Sequence, residues 1–80
     1  MNEPQSPGMK LLIEVLEIPE LANSVGPDTD LILAGINSGD LIRLGLIIEE
    51  RTHRPLSDDD LTDLQTVSGI DRVLSARAQV

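Results

Sequence analysis

Ser38 is the residue best placed to do chemistry. It lies in Gly35-Ile36-Asn37-Ser38-Gly39-Asp40-Leu41. There Asn37 is a favoured N-cap, able to accept from the free N–H groups of a first helical turn, and Asp40 three residues on is a short-armed reciprocal capping partner. A helix is therefore expected to begin with Ser38 in its first position. Unpaired N–H groups and the positive end of the dipole at such a start favour an anion, in particular a phosphate ester.

No other catalytic constellation is recognisable in the chain. It has no Gly-rich phosphate loop, no nucleophile elbow and no histidine that a sequence argument pairs with Ser38. The single His, His53, stands beside Arg51 and Arg54 near the expected end of the same helix. Positive charge complements the dipole there, so a surface or capping role is expected. With no Cys, disulfides and thiolate metal sites are excluded, and one His cannot build a metal site alone. The Asp58-Asp59-Asp60 run lacks the glycine and terminal Glu of a calcium-binding loop. The expectation is a chain that catalyses nothing by itself.

The elements that must position Ser38 follow from apolar spacing. Residues 1–8 hold two Pro and one Gly among small polar residues and are expected to be flexible. Met9, Leu12, Ile13 and Leu16 recur at helical spacing, with Leu11 and Val15 beside them, predicting a first helix over 9–17 that Pro19 stops or converts into a further short turn. The connection from Glu20 to Gly35 is long, yet carries Leu21, Val25, Leu31, Ile32 and Leu33. It is expected to be pinned across the bundle, with one helical turn near Thr29 to Leu33.

The second helix should run from Ser38 to about Thr52, because Pro55 steers Arg54 out of the α region. At ~100° per residue, Leu41, Leu44, Gly45, Ile48 and Thr52 share its core face. Ile42, Leu46 and Ile47 flank Arg43 on the outer half, where a solitary amphipathic helix would carry polar groups. That surface, with Ile42 expected to be the most buried of the three, is a candidate docking face. Gly45 weakens the helix by about 1 kcal/mol relative to Ala unless close packing offsets it.

Ser57 and Asp60 form a capping arrangement for a short third helix over 58–64, with Asp58 and Asp59 adding negative charge to its first turn. Thr66 can cap a fourth helix in which Val67, Ile70, Val73 and Leu74 point inward and Arg72 and Arg77 face water. Gly69 is a weak point near its start, and residues 78–80 should fray. The folded domain is thus expected over 9–77.

Composition bounds the function. Eighty residues bury perhaps 60% of their unfolded surface, enough for a small bundle and not a deep catalytic cleft. Fourteen acidic against six basic residues give a net charge of −8, which disfavours nucleic acid and anionic membranes and favours basic partners. No apolar run approaches the ~20 residues of a membrane span, and no charged-then-apolar leader opens the chain. A soluble, cytoplasmic monomer is expected.

These residues resemble the acyl and peptidyl carrier proteins, which bear a 4′-phosphopantetheine arm. That family's signature of glycine, a variable residue, Asp, the modified Ser and Leu, opening an apolar helix that ends in acids, reads here Gly35-Ile36-Asn37-Ser38-Gly39-Asp40-Leu41-Ile42 through Glu49-Glu50-Arg51. The family's later acidic stretch ending in Thr-Val reads Leu56 to Val67, so the resemblance runs from Asp30 to Leu74. It implies an all-α bundle of three principal helices and one short one, with a long loop between helices I and II. It also implies a phosphopantetheinyl transferase attaching the arm from coenzyme A to Ser38, and thioester cargo loaded and removed by a ligase and by downstream transferases or synthases. Asn37, Gly39, Asp40, Ile42, Arg43, Leu46, Ile47, Asp58 and Asp59 are the expected docking residues.

Three positions depart from the family pattern. Asn37 stands for the common Asp, Gly39 for the common Leu after the serine, and Arg43 where fatty-acid carriers usually have an acid. The departures point to a free-standing carrier in a specialised polyketide or nonribosomal-peptide type of pathway. The alternatives are a housekeeping fatty-acid carrier, a carrier relic, and a helical interaction module without the arm.

Overall fold

The computed structural model describes residues 6–78. In chain order they form α1 (Pro7–Val15), a 3-10 helix (Pro19–Ser24), α2 (Ser38–Thr52), α3 (Asp58–Asp63) and α4 (Val67–Ala78). The result is an all-α, acyl-carrier-like bundle, with α1, α2 and α4 as the principal helices, α3 as the short one, and no strand among the described residues.

The first helix starts two residues before the expected Met9. Ser6 Oγ accepts from the Met9 N–H at 3.2 Å, and Pro7 occupies the opening position, where its missing donor costs nothing. The Gly8 N–H is satisfied from across the bundle by Asp71 Oδ1 at 2.6 Å. Pro7 and Gly8, the inner end of the segment expected to be flexible, thus belong to α1; residues 1–5 lie outside the described ones. The expected fraying at 78–80 falls mostly outside them too, α4 being helical to Ala78.

Leu12, Leu31, Leu44, Ile48 and Ile70 are the largest fully buried side chains, drawn from α1, the long connection, α2 and α4. Each is worth about 1.5–3 kcal/mol of apolar transfer. The connection between α1 and α2 is pinned as expected, in part by backbone bonds to the α3–α4 junction. The Leu31 N–H donates to the Gln65 carbonyl at 2.8 Å and the Ser68 N–H to the Pro27 carbonyl at 2.9 Å. Pro19 begins the 3-10 helix, and Asp30 Oδ1 caps the turn that follows, accepting from Ile32 and Leu33.

That turn buries only part of what its composition suggested. Leu31 is fully buried, whereas Ile32 is 43% and Leu33 86% exposed. Three successive residues of a single turn cannot all face one side. Gly35, at φ +98°, then reverses the chain into α2 through a conformation that side chains resist.

Arg77 is the clearest departure from expectation. Instead of facing water, its side chain is only 7% exposed. It donates to Thr52 Oγ1 at 3.0 Å, to the carbonyls of Arg54 and Pro55 at 2.7 Å each, and to Asp60 Oδ2 at 3.1 Å. Arg72 does face water and pairs with Asp63 at 3.1 Å.

Candidate functional site

α2 opens as its sequence dictates. Asn37 is extended (φ −66°, ψ 136°), and its Oδ1 accepts from the Gly39 N–H at 2.7 Å. Ser38 takes the first helical position and is exposed, as are Asn37 and Gly39. A hydroxyl at the positive end of a 15-residue helix, open to solvent, suits a phosphodiester, whose negative charge the dipole favours.

Asp40 does not act as the reciprocal cap. Its backbone N–H bonds the Asn37 carbonyl, while its carboxylate turns inward, 9% exposed, to lie 3.7 Å from Arg43. It is the buried charged residue of the described chain, in contrast to the exposed Asn37 and Gly39 with which it was expected to form a docking surface. The reciprocal box forms instead at α3. Ser57 Oγ accepts from the Asp60 N–H and Asp60 Oδ2 from the Ser57 N–H, both at 3.1 Å. That N–H first, and the Arg77 guanidinium second, hold the Asp60 carboxyl below its usual pKa.

The outer face of α2 is apolar and open. Ile42 is 65% and Leu46 59% exposed, while Ile47 is half-buried against the core. This reverses the expected order, in which Ile42 was the most buried of the three. Arg43 is half-exposed, but its guanidinium donates to the Val15 carbonyl at 3.2 Å and lies 3.9 Å from Glu17, tying α2 to the end of α1. Asp58 and Asp59 are both exposed on the first turn of α3. His53 caps the far end of α2 in the left-handed conformation, its N–H donating to the Glu49 carbonyl at 2.8 Å.

An open apolar groove of about 350 Å³ runs from Ser38 between α2, α3 and the long connection, floored by Leu41 and Leu64 and flanked by Ile32, Ile42 and Leu61. Ile32 and Leu61 were not anticipated as site residues, since the approach of the long connection to α3 beside Ser38 is a tertiary fact with no local signature. A larger groove of about 460 Å³ between α1, α2 and α4 is bordered by Lys10, Glu14 and Arg51; it does not include Ser38. At Gly45 a Cβ would come within 3.2 Å of the Leu56 side chain and 3.5 Å of the Leu64 side chain. Close packing of α2 on the α3 region therefore explains that glycine.

Fold and site together define a small all-α carrier-type domain with an exposed helix-start serine beside an apolar groove. The family model described as the phosphopantetheine attachment site matches residues 9–72, and the chain belongs to that family. Its members bear 4′-phosphopantetheine and work with partner enzymes. No curated protein and no solved structure gives a significant match. No helix among the described residues is long and apolar enough to cross a membrane.

Proposed function

We propose that Ser38 is the attachment residue and that the chain is a non-catalytic carrier of acyl or aminoacyl thioesters in a specialised polyketide or nonribosomal-peptide type of pathway. The observation that carries this reading is the exposed Ser38 hydroxyl at the first position of α2, inside the family match. Coenzyme A and a phosphopantetheinyl transferase supply the arm: the Ser38 oxygen, losing its proton, attacks the pantetheine-side phosphorus of the coenzyme A pyrophosphate, forming the phosphodiester and releasing adenosine 3′,5′-bisphosphate. The bound arm supplies the thiol that this Cys-free chain lacks. Tethering raises the effective concentration of cargo at each partner's site and keeps it from diffusing away.

The residues of the chain orient and present. Asn37 and the helix start fix the direction in which Ser38 points, and the groove offers apolar surface for cargo. Ile42 and Leu46, with exposed Asp58 and Asp59, form the docking surface for a loading ligase and a downstream transferase or synthase. Ile47 and Arg43 contribute at its half-buried edge. Gly39 leaves the site without an apolar contact just after the serine, and with Asn37 and Arg43 it supports dedicated partners over the housekeeping fatty-acid machinery. The charge of −8 favours a monomer, and the reading places it in the cytoplasm with its partners.

The test is intact mass before and after incubation with coenzyme A and a broad-specificity phosphopantetheinyl transferase, with Ser38→Ala alongside. A gain of one phosphopantetheine in the wild type alone is expected. No gain with several transferases would overturn the reading in favour of a non-covalent interaction module.

A further inference from the structure

One wall of the groove at Ser38, the side chain of Leu61 on α3, is only weakly held by the hydrophobic core. α3 contains no buried residue, and its only large apolar side chain, Leu61, is 50% exposed. At six residues it is far shorter than the ~12–15 residues at which an isolated helix becomes even marginal. Its own capping box orders the first turn without attaching it to the bundle. Leu64, just past its end, is the nearest core anchor, at 2% exposure.

Two arginines of α4 attach it. Arg77 collects four acceptors from three places, namely Thr52 at the end of α2, the carbonyls of Arg54 and Pro55 in the following loop, and Asp60 in the first turn of α3. A planar guanidinium with five donors can satisfy such a set, and an ammonium with three cannot. Arg72 reaches Asp63, the last residue of α3, at 3.1 Å. Its side chain is 66% exposed, so water and salt screen that pair, while in the other pair the Arg77 side chain is only 7% exposed and the screening is weaker. The two arms thus grip both ends of α3.

We propose that Arg77, with Arg72 as a weaker second arm, is a positioning residue for the groove at Ser38, clasping α3 to α4 and so fixing the Leu61 wall, beside the core-held Leu64, against which the apolar part of an attached cargo lies. The consequence for cargo rests on the carrier reading; the clasp itself does not. Loosening it frees a helix with no buried side chain of its own, and the opening is local because the core residues of α1, α2 and α4 do not depend on it.

The experiment compares wild type, Asp60→Asn, Arg72→Gln and Arg77→Lys. Asp60→Asn retains an oxygen for the Ser57 N–H and removes only the charge, so the variant keeps its cap should Arg77→Lys fold poorly. Amide hydrogen exchange on the unmodified protein is read first. The Leu61 and Leu64 N–H groups, bonded to the Ser57 and Leu61 carbonyls, should exchange about five- to tenfold faster in Asp60→Asn, the size expected when one charged hydrogen bond becomes a neutral one, with Leu44 and Ile48 unchanged. Arg72→Gln should give a smaller effect. Equal acceleration in every helix would overturn the clasp and make Arg77 a general stabiliser.

Hydrolysis of acetyl and octanoyl thioesters on the arm-bearing protein is read second. The octanoyl thioester should hydrolyse several-fold faster in Asp60→Asn, and the acetyl thioester, too short to reach the wall, at the wild-type rate. Identical octanoyl rates despite faster α3 exchange would overturn the positioning role. Failure of the arm to attach at all would overturn the carrier reading, with the exchange result standing on its own.

Discussion

Gly69 lies against the backbone of Asp63 so closely that a Cβ on Gly69 would overlap the Asp63 carbonyl. This contact lets α4 begin immediately after α3, with Thr66 Oγ1 accepting from the Gly69 N–H at 3.0 Å. Local propensity marks Gly69 as a weakness, but here the absence of a side chain is required. Gly69→Ala should destabilise the protein by about 2 kcal/mol or more, because backbone must move and the helix-propensity gain of ~1 kcal/mol does not offset it. Gly39→Ala, whose Cβ would meet the Asn37 side chain, nearest at Oδ1 at 3.2 Å, should change stability by less than ~1 kcal/mol. Urea unfolding followed by far-UV circular dichroism separates the two, and equal losses would discount the close approach.

The exposed face of α2 separates docking from stability. Ile42→Ser and Leu46→Ser should each stay within about 0.5 kcal/mol of wild type, as surface changes do, yet slow transfer to a partner enzyme. Ile48→Ala, at a fully buried position, should cost about 2–5 kcal/mol. Partner rates unaltered by the Ile42 and Leu46 changes together would remove this face from the docking surface.

Arg43 needs a gentler substitution than charge reversal. Arg43→Glu loses the bond to the Val15 carbonyl and sets a carboxylate beside the buried Asp40 and near Glu17. A loss of about 1–3 kcal/mol is expected from the unpaired buried charge. Arg43→Gln, which keeps a donor, should be milder and still slow a dedicated partner while leaving arm attachment intact. Wild-type transfer by Arg43→Gln would restrict Arg43 to joining α1 and α2.

Asp60 gives stability a signature in acid. Its pKa is lowered in the folded state from the ordinary 3.8, first by the Ser57 N–H and then by Arg77. A carboxyl depressed on folding contributes stability that is complete above its unfolded pKa and is lost as pH falls through the folded one. Wild type should therefore exceed Asp60→Asn in stability at neutral pH, and the two should converge as pH drops below 3.8. Urea midpoints measured across that range test this, and a constant gap down to the lowest pH would show that Asp60 is not held ionised by the fold.

The starts of α2, α3 and α4 were legible in the chain because capping chemistry is local, whereas α1 opens on Ser6 and Pro7, in a segment whose composition suggested no structure. Asn37 for α2, Ser57 with Asp60 for α3 and Thr66 for α4 each act on groups within three residues. The bound at Pro55 and the burial of Leu44, Ile48 and Ile70 followed from spacing alone. The all-α fold class followed from helical spacing segment by segment together with the family resemblance.

What the sequence could not supply depends on partners far along the chain. Arg72 and Arg77 carry the same charge at neighbouring turns of one helix, yet one is solvated and the other nearly buried, because only the latter meets the α2–α3 loop 17 to 25 residues away. Likewise, which of Leu31, Ile32 and Leu33 is buried, whether Asp40 caps or turns inward, and why Gly69 must lack a side chain were decided by the crossing of separate elements. The amino-acid sequence by itself determined the helices, their caps and the serine that opens α2. The tertiary structure decided which charges are buried and how the groove beside that serine is walled, since burial and long-range pairing depend on neighbours that local pattern does not contain.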